Sequence, residues 1–403
     1  MPIDLTYSPV LLDLVERTKA FTRDVVLPIE DSFDGDITAA GGDTLRAELQ
    51  SAAKAAGVFG PHVPAELGGH GLDMSSRVPV FEEAGYSLFG PMALNIAAPD
   101  EGNLHLLAHV ADPDQKQRYL APLARGDVRS AFAMTEPAPG AGSDPSALST
   151  RADRSDGGWR ISGRKWFITG ADGAAFFIIM ARTSGTPGQR GGATMFLVPA
   201  QTPGLRVGRH INTMDKAMVG GHCELLLDEV RIPDSAVLGE VDRGFEYAQI
   251  RLGPARMTHV MRWLGAARRG HDFAVAHVAR RRAFGARLGD LGMVQKMIAD
   301  NEIDIAATRA LLVHACWELD AGHTASDSTS ITKTFAAEAI FRVADRSMQM
   351  CGALGIADDA PLARLVREIR PFRIYDGPSE VHRWAIAKRA IRAAQIPAEK
   401  TAQ

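Results

Sequence analysis

One carboxylate stands out for its setting: Asp376, in the stretch IYDGPSEVHR (374–383), lies against Gly377 and Pro378 just before an amphipathic C-terminal segment. An acid in such a loop either caps the helix that follows or takes a proton from something bound beside it. Other residues able to do chemistry are Thr135 in FAMTEPAPGAGSD (132–144), Thr169 in GRKWFITGA (163–171) and the arginine run Arg280–Arg282. By itself PGAGSD reads as a turn, and three arginines at a helix end read as a solvated face complementing the helix dipole. No GxGxxG joins a strand to a helix, and Walker A, HExxH and GxSxG patterns are absent. A Rossmann site, a phosphate loop, a zincin and a serine-hydrolase elbow are thereby excluded as motifs. The three cysteines, Cys223, Cys316 and Cys351, form no CxxC, and no cysteine–histidine set stands at zinc-ligand spacing. Neither a metal site nor a disulfide scaffold is expected, and a reducing cytoplasm fits best.

These residues need elements to hold them. With 403 residues, 46% of them apolar, the chain can fill two or three cores. A formal charge of -3 supplies no basic field for nucleic acid or an anionic membrane, so small molecules or proteins are the expected partners. The first twenty residues carry acids within an apolar pattern and read as an amphipathic helix, not as a targeting peptide. No stretch reaches transmembrane length. Helical apolar spacing runs from residue 9 to about 130, at Val10, Leu11, Leu14 and Val15, then Leu45 and Leu49, then Leu104, Leu106 and Leu107. From 131 the pattern becomes short β-branched and aromatic runs, WRISGRKWFIT, FFIIMART, ATMFLVPA and CELLLDEVRIP, which predict an antiparallel sheet or barrel. After Gly239 the helical period returns, with Val294, Met297, Ile298, Ile305, Leu312, Cys316 and Leu319 on one side of a long helix. The expectation is an α+β chain of three domains, 1–130, 131–238 and 239–403, unlike the βαβ alternation of a doubly wound fold.

FAMTEPAPGAGSD, GRKWFITGA, RRRAFGARL (280–288), QMCGALGI (349–356) and IYDGPSEVHR together, in this order over essentially the whole chain, resemble the acyl-CoA dehydrogenase superfamily. The resemblance implies an acyl-CoA dehydrogenase-like fold: an N-terminal α-helical domain, a central β-barrel and a C-terminal four-helix bundle. It implies FAD as cofactor, an acyl-CoA substrate, electron-transferring flavoprotein as electron acceptor, and a homo-oligomer, either dimer or tetramer.

Carried over position by position, the resemblance places Met134 and Thr135 at the pyrimidine edge of the flavin, Thr169 at its N5 and Phe167 against the ring. Ser143 matches a serine near both the flavin pyrophosphate and the CoA arm, in a loop two residues longer than the common TEPGAGSD. Arg281 and Phe284 match the segment that meets the FAD pyrophosphate of an adjacent subunit, as do Gln349, Gly352 and Ala353. Ala353 replaces a family glycine there, and Gly292 stands where glutamine is common.

In the same way Asp376 matches the family's catalytic glutamate, taking an α-proton while a β-hydride passes to the flavin. The backbone at Asp376 and Gly377 would face the thioester. Arg256 matches an arginine that steadies this loop, with Arg383 available from the other side. Where some branches carry the base on the bundle helix, this chain reads Gly253, Pro254 and Ala255. The run GFEYAQIRLGPARMTHVMRWLGAA (244–267) resembles a branch whose dehydrogenase module is fused to a phosphotransferase-like kinase domain and handles 4-phosphorylated hydroxyacyl-CoA. Arg251, His259 and Arg262 are then expected anion contacts, with plain medium- or long-chain acyl-CoA as the other substrate class. Two alternatives stand beside the dehydrogenase. One is a flavin oxidase of the same fold reacting with O₂, in the manner of nitroalkane oxidases; the other is a non-catalytic binding member.

Overall fold

A computed structural model of the chain describes residues 6–395. Contacts group them into two units, Tyr7–Ala255 and the residues from Arg256 onward together with Thr6. The first unit opens on a helix, Pro9–Phe21, whose start is set by Ser8 accepting from Leu11 N–H at 3.2 Å and by a proline in the first turn. Helices Asp43–Ala55, Met74–Ala84 and Asp100–Val110 follow, burying Leu45 and Leu49, Val78 and Phe81, and Leu104, Leu106 and Leu107.

The strands come next: β1 (Ser130–Ala133), β2 (Arg151–Ser155), β3 (Gly158–Thr169), β4 (Phe176–Arg182), β5 (Ala193–Pro199), β6 (Leu205–His210), β7 (His222–Pro233) and β8 (Val237–Leu238). They form one sheet in the order β6-β7-β3-β2-β4-β5-β8, with β1 beside β4. Every residue of β4 is buried because both faces of the strand are covered. Phe176, Ile178 and Met180 pack with the N-terminal helices, while Phe177, Ile179 and Ala181 pack with Trp159, Ile161, Phe196 and Val198. The sequence predicted antiparallel pairing throughout, but β1 runs parallel to β4, from Ser130 opposite Phe176 to Ala133 opposite Ile179. The intervening segment contains β2 and β3, long enough for the crossover that a parallel pair needs.

In the second unit the residues from Arg256 continue the helix Gly244–Arg280, followed by a short hairpin, β9 (Arg282–Ala283) and β10 (Ala286–Arg287). Helices Gly292–Asp320, Ser326–Met350, Leu362–Ile369 and Ser379–Gln395 complete it. Ser326–Met350 presents a stripe of small residues, Ala336, Ala337, Ala339 and Ala344, which permits close approach of its neighbours. Polar residues add register to this packing. Asp304 accepts from Arg342 at 2.6 and 3.1 Å and from Arg346 at 2.8 Å. Among the described residues no helix is long and apolar enough to cross a membrane, and no group of three or more acidic, histidine or cysteine side chains could hold a metal ion.

Candidate active site

Asp376 ends up in a loop gripped by its main chain. Its φ is +54° and that of Gly377 is +95°, two left-handed residues in succession. Aspartate visits this region more readily than most residues, and a Cβ on Gly377 would lie 2.7 Å from His382 Nε2. Left-handed backbone there costs free energy, and the surroundings offset it with three donors from three helices. Arg256 Nε, from Gly244–Arg280, donates to the Asp376 carbonyl at 2.9 Å. His382 Nε2, from Ser379–Gln395, reaches the same carbonyl at 3.1 Å, so this nitrogen carries the proton. Lys333 Nζ, from Ser326–Met350, donates to the Gly377 carbonyl at 2.6 Å and lies 5.2 Å from the Phe372 ring centre.

The carboxylate lies against a histidine: His259 Nε2 is 3.3 Å from Asp376 Oδ2, both side chains being largely buried. Helix Ser379–Gln395 starts three residues after Asp376, so the acid is not at its cap position. Burial draws the Lys333 ammonium down to about 8, against the pull of Asp376. At neutral pH Lys333 is thus still mainly charged.

In the first unit, Phe167 sits at an irregularity in the β3–β7 pairing between Lys165 and Ile168. Its φ of +50° turns the ring outward, leaving it 45% exposed. Two residues on, Thr169 Oγ1 lies 3.0 Å from His222 Nδ1, and His222 Nε2 lies 2.7 Å from Asp215 Oδ2. With a neutral imidazole, Asp215 holds the proton on Nε2, and the Thr169 hydroxyl donates to Nδ1.

Met134 and Thr135 are tied down from behind. Lys165 Nζ, fully buried, donates to the Met134 carbonyl at 3.1 Å, the Met180 carbonyl at 2.6 Å and Glu136 Oε1 at 2.8 Å, while Trp166 N–H donates to the Thr135 carbonyl at 3.1 Å. Glu136 in turn collects backbone donors from Ala141, Ser149 and Thr150 at 2.7 to 3.2 Å, so it shapes the loop that carries Ser143. Burial works against the Glu136 carboxylate, but the Lys165 ammonium and these donors bring it down to about 2.

The remaining residues stand apart from these clusters within their units. Ser143 is exposed. Arg251 is buried, donating to Asn103 Oδ1 at 2.8 Å with its guanidinium 4.2 Å from the Phe132 ring centre. Phe284 is 92% exposed at φ +54° between β9 and β10, and Arg281 is exposed at their start. Gln349, Gly352 and Ala353 are exposed where Ser326–Met350 ends. Arg383 forms a bidentate pair, at 2.6 and 2.7 Å, with Glu338 on the same helix as Lys333. Sequence reasoning missed Lys333, His382, Lys165, His222 and Asp215. Only Lys333 left a readable signal, since it shares the stripe of Ala336, Ala337 and Ile340 where a helix face should be apolar.

The setting of His382 makes a pH prediction. Burial, with Arg256 and Lys333 close by, lowers it from 6.5 to about 4. Between those values the folded state holds fewer protons than the unfolded chain. The stability from this group is therefore complete above pH 6.5 and is lost as pH falls towards about 4. His382→Gln, which retains an N–H for the Asp376 carbonyl, is expected to flatten the fall in Tm over that range. Melting curves of both proteins at several acidic pH values check it, and parallel curves would contradict it.

Three family profiles match the chain: acyl-CoA dehydrogenase N-terminal domain at residues 10–127, middle domain at 131–230 and C-terminal domain at 242–391. The "Probable acyl-CoA dehydrogenase FadE2" of Mycobacterium tuberculosis is 37% identical over 396 residues, 96% of each chain. Mouse "Acyl-CoA dehydrogenase family member 11" is 35% identical over 93% of this chain, which spans 50% of that longer protein. The solved structure of butyryl-CoA dehydrogenase from Megasphaera elsdenii superposes with a TM-score of 0.87 at 27% identity, covering 97% of this chain and all of the other.

Proposed function

The chain belongs to the acyl-CoA dehydrogenase family, and on that premise we propose that it oxidises the α,β bond of an acyl-CoA thioester, with Asp376 as the base and FAD as the cofactor. Membership makes it an oxidoreductase acting on a CH–CH group. The observation that carries the assignment of the base is the setting of Asp376: a largely buried carboxylate on a loop whose carbonyls take donors from Arg256, His382 and Lys333. A base so held loses little freedom on reaching its proton.

The residues present fit a flavin. Phe167 offers an exposed aromatic face, Thr135 and Thr169 offer hydroxyls, and the loop bearing Ser143 is exposed and glycine-rich. Met134, Thr135, Phe167 and Thr169 would hold the ring system and Ser143 would lie near its pyrophosphate; Arg281, Phe284, Gln349, Gly352 and Ala353 would serve the pyrophosphate of an adjacent subunit's FAD. Bound FAD would supply the acceptor for a hydride from Cβ. The Thr169 hydroxyl, 3.0 Å from His222 Nδ1, would lie beside the flavin N5 with its orientation set by that histidine. Asp376 would take the α-proton, whose acidity rises as the thioester carbonyl is hydrogen-bonded, with the backbone N–H at Asp376 as one donor. Gly253, Pro254 and Ala255 provide no rival carboxylate.

Plain acyl-CoA is the favoured substrate class. Arg251 and Arg262, which an anionic acyl substituent would call on, already donate to Asn103 and His259. A reducing compartment is favoured by three buried free cysteines. Electron-transferring flavoprotein as acceptor and a homodimer or homotetramer complete the proposal. The experiment is anaerobic bleaching of the bound flavin by medium-chain, long-chain and 4-phosphorylated acyl-CoAs, followed by reoxidation with either electron-transferring flavoprotein or air. Bleaching by a plain acyl-CoA and slow reoxidation in air are expected. No bleaching by any thioester would remove the reading, and rapid reoxidation by air would turn it into an oxidase.

A further inference from the structure

His259 has no role assigned by resemblance beyond contact with a substrate anion, yet its surroundings determine where its proton resides. Arg262 Nη2 lies 2.8 Å from His259 Nδ1. A guanidinium has donors and no acceptor, so Nδ1 must accept. Tyr375 Oη, 3.4 Å from the same nitrogen, receives the indole N–H of Trp263, which leaves its own proton directed at Nδ1. Two donors on Nδ1 leave one neutral tautomer, with the proton on Nε2. That is the atom 3.3 Å from Asp376 Oδ2.

We propose that His259 is a positioning residue for the base: locked as the Nε2–H tautomer by Arg262 and Tyr375, it holds a protonated nitrogen 3.3 Å from Asp376 Oδ2 and thereby keeps the carboxylate ionised. It is not a proton relay, because the nitrogen that would have to receive a proton is already occupied by donors. The proposal rests on Asp376 being the base.

The groups facing this pair come from every element around it. Arg256, Arg262 and Trp263 lie on the same helix as His259, Lys333 on Ser326–Met350, Phe372 and Tyr375 in the base loop's approach, and His382 on the last helix. Arg256, His382 and Lys333 bind main-chain carbonyls of the loop. Arg256 and Lys333 also act on the Asp376 carboxylate through their charge, while His259 Nε2 lies 3.3 Å from its Oδ2. Removing the His259 N–H leaves the main-chain contacts of the loop in place and so reads on the acid's titration.

The test has an arm that needs no turnover. In protein labelled with ¹⁵N-histidine, with His259→Gln identifying the resonance, His259 Nδ1 is expected at the shift of an unprotonated ring nitrogen and Nε2 at that of a protonated one. In protein labelled at aspartate Cγ, with Asp376→Asn identifying the resonance, His259→Leu is expected to raise the Asp376 midpoint by ~1 pH unit. The acid limb of kcat/KM should move by the same amount, with a smaller effect on KM. His259→Gln, whose amide can place an N–H near the Nε2 position, should restore both. A proton on Nδ1, an unchanged midpoint in folded His259→Leu, or a folded His259→Gln that restores neither would overturn the proposal. Were no thioester to bleach the flavin, the reading of function would fall while the tautomer and titration results still decided this one.

Discussion

Asp376→Asn is expected to slow thioester-dependent flavin bleaching by ~10²–10⁴ while leaving the fold and flavin content intact. The substitution changes no heavy-atom count, and asparagine adopts a left-handed backbone as readily as aspartate, so φ of +54° is retained. Arg256, His382 and Lys333 hold the carbonyls of residues 376 and 377, which the change does not touch. What disappears is an ionisable oxygen beside His259 Nε2. Stopped-flow bleaching together with a melting curve checks it. A rate near wild type would dismiss Asp376 as the base. A collapse in Tm with the rate per folded molecule preserved would give the residue a structural role. Asp376→Glu restores a base but adds a methylene on the same left-handed residue, so it should recover part of the rate only.

The largest effect on stability is expected from Lys165→Met, about 3–5 kcal/mol, because it strands the Glu136 carboxylate without its cation. Both side chains are essentially solvent-free, and the Lys165 ammonium also binds the carbonyls of Met134 and Met180. Denaturant titration of the wild type, Lys165→Met and Lys165→Met/Glu136→Gln separates the terms. The double variant is expected to regain much of the loss, since its amide carries no buried charge. The pH dependence has a definite sign. In the wild type Glu136 is depressed from 4.5 to about 2, so its stabilisation is present above pH 4.5 and is lost as pH falls through about 2. In Lys165→Met the uncompensated carboxyl favours protonation, so the deficit should shrink on acidification. A deficit independent of pH would show that packing, not charge, governs this pair.

The sequence of helices, strands and helices was legible because its period changes from 3.6 to 2 and back, near residues 130 and 239. The parallel pairing of β1 with β4 was not, since strand order depends on partners 46 residues away and no local turn signals it. Within the candidate site, Asp376 and Arg256 could be picked out by resemblance, and their backbone contact was compatible with spacing alone only after the loop was seen. His259 and Arg262 were visible as neighbours three apart on one helix, which fixes their shared face but not what lies opposite. Across from them the chain has placed a carboxylate, and both were expected to meet a substrate anion. His222 and Asp215 sit on either side of a turn, where no periodicity applies, so their link to Thr169 had no counterpart in the pattern.

The anchors of the base loop clasp peptide oxygens, so the course of the chain at 376 and 377 is held by the main chain and not by the carboxylate. A swap between aspartate and asparagine, both at ease with a left-handed backbone, can therefore change the chemistry at this point without rehousing the loop.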